Sequence, residues 1–260
     1  MKYDIYFVDA FADDLFYGNP AAVIFSDLDD KQLMQNIAAE NNLSETAFIK
    51  TEDDKKTIRW FSPTTEVDLC GHATLASAFV FFNFINPQCT EIKFHSASGE
   101  LTVKKKLDIY ELDFPKDNLQ LVNTREAIEQ ATGFMPNETF LGNINMFAVF
   151  ENEEIVRKIK PNFEKLKDLD GQGLIISSTS VEYDFVSRYF CPKYGINEDP
   201  VTGSAHTSLI PYWAEKLNKE KLKARQVSKR GGVLFCQNAQ NRVFIGGKAI
   251  LYMKGKIEID

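Results

Sequence analysis

The chain has 260 residues, 44% of them hydrophobic and 26% charged, and its 37 acidic against 30 basic residues leave a net charge of −7. That length suits one large domain or two of ordinary size, either able to bury a real core. A negative field repels polyanions, which excludes a general nucleic-acid surface, and no stretch approaches the roughly 20 apolar residues of a membrane-spanning helix.

Met1-Lys2-Tyr3-Asp4 opens directly into a strand without a signal-peptide pattern, so a soluble cytoplasmic protein is expected. β-branched and aromatic residues predict strands over 3–9, 21–25, 47–50 and 57–61, with a charged helix over 29–41. Residues 71–85 differ: Ala73, Leu75, Ala76, Ala78, Val80, Phe82 and Ile85 with their neighbours are apolar almost all round, which demands a helix buried on nearly every side. Strands near 91–95, 100–104 and 108–114 end this half at Phe114-Pro115.

The later elements follow the same order. A strand at 146–150 precedes a charged helical segment at 151–169, and strands follow at 174–177 and 184–190. A helix over 202–217 contains Pro211, which is expected to kink or restart it because proline lacks a backbone donor. Strands near 222–227, 232–236, 242–246 and 249–257 finish the chain, and no Rossmann glycine fingerprint follows the first strand.

These two runs repeat each other in sequence as well as in order. Arg59-Trp60-Phe61-Ser62-Pro63 leads to Cys70-Gly71-His72-Ala73-Thr74, and Arg188-Tyr189-Phe190-Cys191-Pro192 leads to Thr202-Gly203-Ser204-Ala205-His206. Upstream, Gly18-Asn19 and Gly142-Asn143 each precede an apolar strand. So long a period, present twice, means two homologous domains and not a solenoid. The expected class is α+β: two pseudo-symmetric domains, 1–115 and 116–260, each a β-barrel-like mixed or antiparallel sheet around a central helix, with the C-terminal strand free to cross back to the first half.

Four cysteines, Cys70, Cys89, Cys191 and Cys236, are widely spaced without a C-x-x-C pair, as suits reduced thiols. The three histidines, His72, His95 and His206, show no metal-ligand spacing, so no metal is expected. The helix starts carry more chemistry. Gly71-His72-Ala73 and Gly203-Ser204-Ala205 put small residues where free backbone N–H groups can meet a carboxylate or an enolate oxygen. Tight helix–sheet packing would use the same small residues, but their paired occurrence favours a binding role. Glu45 stands at the mouth of a strand among small polar neighbours, whereas the matching stretch, Gly171-Gln172-Gly173-Leu174-Ile175, has no acid. One base serving a pocket shared by both halves is the inference; a solvated strand-end glutamate is the plain alternative.

Asn42-Leu43-Ser44-Glu45-Thr46-Ala47-Phe48, Glu66-Val67-Asp68-Leu69-Cys70-Gly71-His72-Ala73-Thr74, and Glu198-Asp199-Pro200-Val201-Thr202-Gly203-Ser204-Ala205-His206 closely resemble motifs of the PhzF family, the phenazine-biosynthesis-like isomerases. The resemblance implies a diaminopimelate-epimerase-like fold, an active site between the halves, commonly a homodimer, and no cofactor. It implies that Glu45 is the acid/base, that His72 and Asp199 flank a small carboxylate-bearing substrate, and that Gly71, Gly203 and Ser204 hold its carboxylate. Cys70 is read as a small buried residue lining the pocket, and His206 as packing beneath it. Two rivals stay open: a Cys70-dependent hydrolase or transferase, for which a Cys70–His72 contact within one short loop looks awkward, and a non-catalytic small-molecule-binding or scaffold protein of the same fold.

Overall fold

The computed structural model describes residues 1–259 and divides into two compact units, one of residues Met1–Asp113 joined by the C-terminal segment from Gly246, the other of Phe114–Ile245. The first contains β1 (Lys2–Ala10), β2 (Asn19–Phe25), α1 (Lys31–Asn41), β3 (Glu45–Glu52), β4 (Lys55–Phe61), β5 (Glu66–Val67), α2 (Gly71–Val80), β6 (Glu91–Ser96) and β7 (Gly99–Lys106), with β8 (Ile109–Pro115) running to the boundary. The second contains β9 (Gln120–Leu121), α3 (Arg125–Thr132), β10 (Glu138–Leu141), β11 (Met146–Val149), α4 (Glu153–Lys158) and α5 (Phe163–Lys167). After these come β12 (Leu174–Thr179), β13 (Phe185–Cys191), β14 (Ile196–Asp199), α6 (His206–Leu217), β15 (Lys221–Gln226) and β16 (Gly232–Asn238). Then β17 (Arg242–Gly247) returns the chain to the first unit, where β18 (Ala249–Glu258) lies.

The strands of the two units share one pairing rule. In the first unit β1–β2 is antiparallel, β2–β3 parallel, β3–β4 antiparallel, β4–β6 parallel and β6–β7 antiparallel, with β5 on β4. In the second, β10–β11, β11–β12, β12–β13, β13–β15 and β15–β16 alternate in the same way, with β14 on β13. The architecture is the two-domain α+β class expected from the repeat. Beside β1 lies β18, antiparallel from Lys2–Glu258 to Ala10–Ala249, so the last strand of the chain closes the first sheet.

Helices cover both faces of the central strands β2, β3, β11 and β12, which is why these read as continuous apolar runs instead of alternating ones. α2 packs on β1, β2, β3 and β18, and every residue of it but Phe79 is buried. α1 supplies Met34, Ile37 and Ala38 to a second layer with Ile24, Phe48 and Phe61. In the second unit Ile128 of α3, Val156 of α4 and Leu166 of α5 join Ile176, Val186 and Phe190. Each fully buried side chain of this size contributes roughly 1.5–3 kcal/mol.

Both central helices depart from expectation. The helix expected over 71–85 is α-helical only to Val80 and ends in a π-helical turn, Phe81–Ile85, closed by Asn86 N–H donating to the Phe81 carbonyl at 2.8 Å. The helix expected over 202–217 starts at His206, after a tight turn in which His206 N–H reaches the Gly203 carbonyl at 3.0 Å. Pro211 neither kinks it into two segments nor restarts it. The carbonyl that residue 211 would normally satisfy belongs to Thr207, and the backbone N–H of Asp117 occupies it at 3.2 Å. Asp117 also accepts the Ser208 hydroxyl at 2.6 Å, so the helix runs on because a neighbouring segment replaces the missing donor.

Candidate active site

Glu45, Cys70, Gly71 and His72 come together in the first unit. Strand register delivers the acid: Glu45 opens β3 opposite Ala21 of β2. It follows α1, which ends at Asn42 in a left-handed conformation, and Asn41 Nδ2 donates to Thr46 Oγ1 at 3.1 Å across the turn. α2 delivers the other three. Cys70 caps it, and its carbonyl accepts both the backbone N–H of Thr74 at 3.2 Å and the Thr74 hydroxyl at 2.5 Å. The amides of Gly71, His72 and Ala73 therefore occupy the first turn, where a helix offers no internal acceptor and its dipole favours an anion.

His72 is the hub of the cluster. Its Nε2 lies 3.1 Å from Glu45 Oε2, and their side chains are only 6% and 13% exposed. The approach is at ion-pair distance but out of hydrogen-bond alignment, so Glu45 Oε2 is buried without a hydrogen-bond partner. On the other side of the ring, Nδ1 lies 3.1 Å from Asn19 Nδ2, and Asn19 Oδ1 accepts the Ser44 hydroxyl at 3.1 Å. In this arrangement Asn19 donates to Nδ1, which places the ring hydrogen on Nε2, facing the carboxylate. An imidazolium would need the Asn19 amide turned over. Burial opposes charge on His72, but the neighbouring Cys70 sulfur and Glu45 carboxylate outweigh it and hold its pKa well above the ordinary 6.5. Asn19, fully buried at the start of β2, is a site residue that sequence reading left as part of a repeat landmark.

The Cys70–His72 contact, expected to be awkward within one short loop, is made: Cys70 Sγ lies 3.5 Å from His72 Nδ1. The helix start turns the two side chains to the same side. Burial, reinforced by the Glu45 carboxylate, pushes the thiol up to about 11.

Asp199, Thr202, Gly203 and Ser204 come together in the second unit. Asp199 ends β14 opposite Tyr189, and its carboxylate accepts the Thr202 hydroxyl. Gln226, buried in β15, staples this loop: Nε2 donates to the Asp199 carbonyl at 2.8 Å and to Thr202 Oγ1 at 3.2 Å, while Oε1 accepts Thr202 N–H at 2.9 Å. Sequence reading passed over Gln226. Its signal was a polar residue at the inward position of the alternation Leu222, Ala224, Gln226. Gly203 and Ser204 lie in the turn before α6, where their carbonyls accept His206 N–H at 3.0 Å and Thr207 N–H at 3.1 Å.

His206 donates through Nδ1 to the Thr202 carbonyl at 2.8 Å, and burial lowers its pKa to about 4. The folded unit thus keeps it neutral while an unfolded chain would protonate near 6.5. Stability linked to this group is present above pH 6.5 and is lost as pH falls towards 4, amounting to about 3 kcal/mol at one pKa unit per 1.36 kcal/mol. Thermal denaturation across that range should show the loss, and His206→Gln should flatten the profile.

The asymmetry of the acid has a steric basis. Thr46 pairs with Ala22 and Phe61 as Leu174 pairs with Met146 and Phe190, so Gly173 holds the place of Glu45. A Cβ on Gly173 would stand 2.6 Å from the Phe190 carbonyl oxygen and 2.7 Å from the Tyr189 ring. Tyr189 fills that space, its hydroxyl donating to Asn145 Oδ1 at 2.9 Å.

The chain is a doubled sheet-and-helix unit with a buried acid–imidazole pair at one helix start. A hydroxyproline epimerase from Agrobacterium vitis shares that fold at a TM-score of 0.61 and 10% identity, over 98% of this chain and 92% of that one. The family model described as phenazine biosynthesis-like protein matches residues 8–255, and the chain belongs to that PhzF family. It is similar over the full length of both chains to an uncharacterized isomerase of Pseudomonas aeruginosa, at 45% identity. The crystal structure of a PhzF-family phenazine biosynthesis protein from Enterococcus faecalis is 49% identical with a TM-score of 0.97, covering 100% of each chain. No helix among the described residues is long and apolar enough to cross a membrane.

Proposed function

We propose that this isomerase moves a proton on a small carboxylate-bearing substrate without a cofactor, with Glu45 as the general acid/base. The observation that carries this reading is the Glu45 carboxylate, whose buried Oε2 lies at ion-pair distance, 3.1 Å, from His72 Nε2 but accepts no hydrogen bond. Such an oxygen is a ready acceptor for a proton on carbon. Glu45 takes that proton from a position next to an unsaturated or carbonyl group, and the helix-start amides at Gly71 stabilise the oxygen on which charge develops. Glu45 then returns the proton to another carbon or to the other face. His72 orients the carboxylate, with Asn19 behind it. Asp199 is assigned a polar contact to the substrate, and the Gly203 and Ser204 amides a share of its carboxylate.

Incubation in deuterated water with a panel of small carboxylic acids, each bearing a C–H next to an unsaturated bond, tests the reading by mass spectrometry. Solvent deuterium should enter a recovered or isomerised acid. Exchange that proceeds undiminished without the Glu45 carboxylate would remove it as the base.

The Cys70–His72 contact supports a second reading, a thiol hydrolase or transferase. A buried thiol pushed up to about 11 is a poor nucleophile at neutral pH. Iodoacetamide at pH 7 is expected to label the more accessible Cys89 well before Cys70. Fast labelling of Cys70 with parallel loss of turnover would reverse the order of the two readings.

A further inference from the structure

Sequence spacing predicts no metal ligands, yet the fold gathers three. Glu45, Cys70 and His72 each present one ligating atom, and these atoms lie within 4.8 Å of one another. Two of the separations are 3.1 Å, from His72 Nε2 to Glu45 Oε2, and 4.0 Å, from His72 Nε2 to Cys70 Sγ. Tetrahedral zinc with metal–ligand bonds near 2.0–2.3 Å sets its ligands roughly 3.3–3.7 Å apart. Side-chain shifts of up to about an ångström, the largest for the Cys70 sulfur, which now lies nearer Nδ1 at 3.5 Å than Nε2, would bring carboxylate, thiolate and imidazole to three corners of such a tetrahedron.

We propose that Glu45, Cys70 and His72 form a three-ligand site for a thiophilic divalent cation of the zinc class, and that its occupancy silences the enzyme by engaging the Glu45 carboxylate. The silencing rests on the reading of Glu45 as the acid/base; the binding does not. Charge suits the cation, since one carboxylate and one thiolate balance its two positive charges in a buried site. The thiol, and His72 wherever it is an imidazolium, each give up one proton to solvent as the metal bonds form, and no electrons are transferred. Thiolate and imidazole together select zinc or cadmium over magnesium or calcium. The outer partner is also in place. With Nε2 on the metal, Nδ1 carries the hydrogen, and the Asn19 side chain, 3.1 Å away, accepts it once its amide turns over.

The test uses the full-length, chelator-treated protein and cadmium as the probe. One cadmium should bind per chain with an ultraviolet thiolate-to-metal charge-transfer band. Cys70→Ser should abolish the band and weaken binding more than about 100-fold, since loss of an outer partner already costs 10–100-fold. Cys89→Ser should keep the band and the stoichiometry. If Cys70→Ser fails to fold, Glu45→Gln serves, keeping the band while weakening binding. Zinc should lower turnover and a chelator should restore it. A band that survives Cys70→Ser, the absence of one-to-one binding, or turnover raised by zinc would overturn the proposal. Failure of the proton-transfer reading would appear instead as metal-free deuterium exchange that survives Glu45→Gln, with the cadmium band unaffected.

Discussion

Glu45→Gln is expected to lower solvent-deuterium incorporation by roughly 10²–10⁴-fold, the usual contribution of a positioned acid–base group. The substitution keeps the shape of the side chain at the head of β3 and removes only its capacity to hold the proton. The loss should therefore fall on kcat and leave KM nearly unchanged. A second readout reports on His72. Its pKa is held up partly by the Glu45 carboxylate, so removing that charge should move the imidazole titration downward, as NMR of the ring would show. Unchanged exchange together with a shifted imidazole would leave Glu45 a structural partner of His72 and remove it from the chemistry.

Arg188→Met is expected to cost about 3 kcal/mol, the low end of the range for removing one member of a buried ion pair, because this pair is only partly buried. Arg188 holds Glu198 through both carboxylate oxygens, at 2.7 and 3.0 Å, and its Nη1 donates to the carbonyls of Val156 and Ile159 at 3.0 and 2.7 Å. Its guanidinium lies 4.7 Å from the Phe190 ring centroid. The substitution strands an acid beside Asp199 and two carbonyls at the end of α4. Arg59 makes the equivalent bidentate pair with Glu66, also at 2.7 and 3.0 Å, but the described hydrogen bonds give it no carbonyl to hold. Lys31 also lies 2.7 Å from Glu66 and is there to pair with it when Arg59 is lost. Arg59→Met should then cost only about 1–2 kcal/mol, because the acid keeps a partner. Denaturant unfolding of the two variants side by side checks the difference. Equal losses would mean that the α4 carbonyls contribute nothing.

The equivalence of these two arginines was readable beforehand, since both stand in an aromatic strand ended by proline. Their difference was not, because Lys31, Val156 and Ile159 reach them from other elements. The active site divides in the same way. Glu45, Gly71 and His72 could be nominated from short local motifs, whereas Asn19 could not, because only the β1–β2 strand pair and the seating of α2 bring it to the His72 ring. Gln226 reaches Asp199 through the parallel pairing of β15 with β13, a relation that no spacing along the chain encodes.

By itself the sequence determined what depends on neighbours a few positions apart: the duplication, the apolar central helix, the small residues at both helix starts and the single acid. Periodicity and turn chemistry are local, so the order of residues carries them directly. Only the tertiary structure decided which groups meet. It closed the first sheet with the last strand, carried α6 through Pro211 by lending it the Asp117 amide, and filled the place of a second acid with Tyr189. It also set Cys70 against His72 and Glu45, contrary to what the short loop suggested. Hydrogen bonds and ion pairs act over about 3 Å, and strand register and helix seating alone bring distant residues within that range.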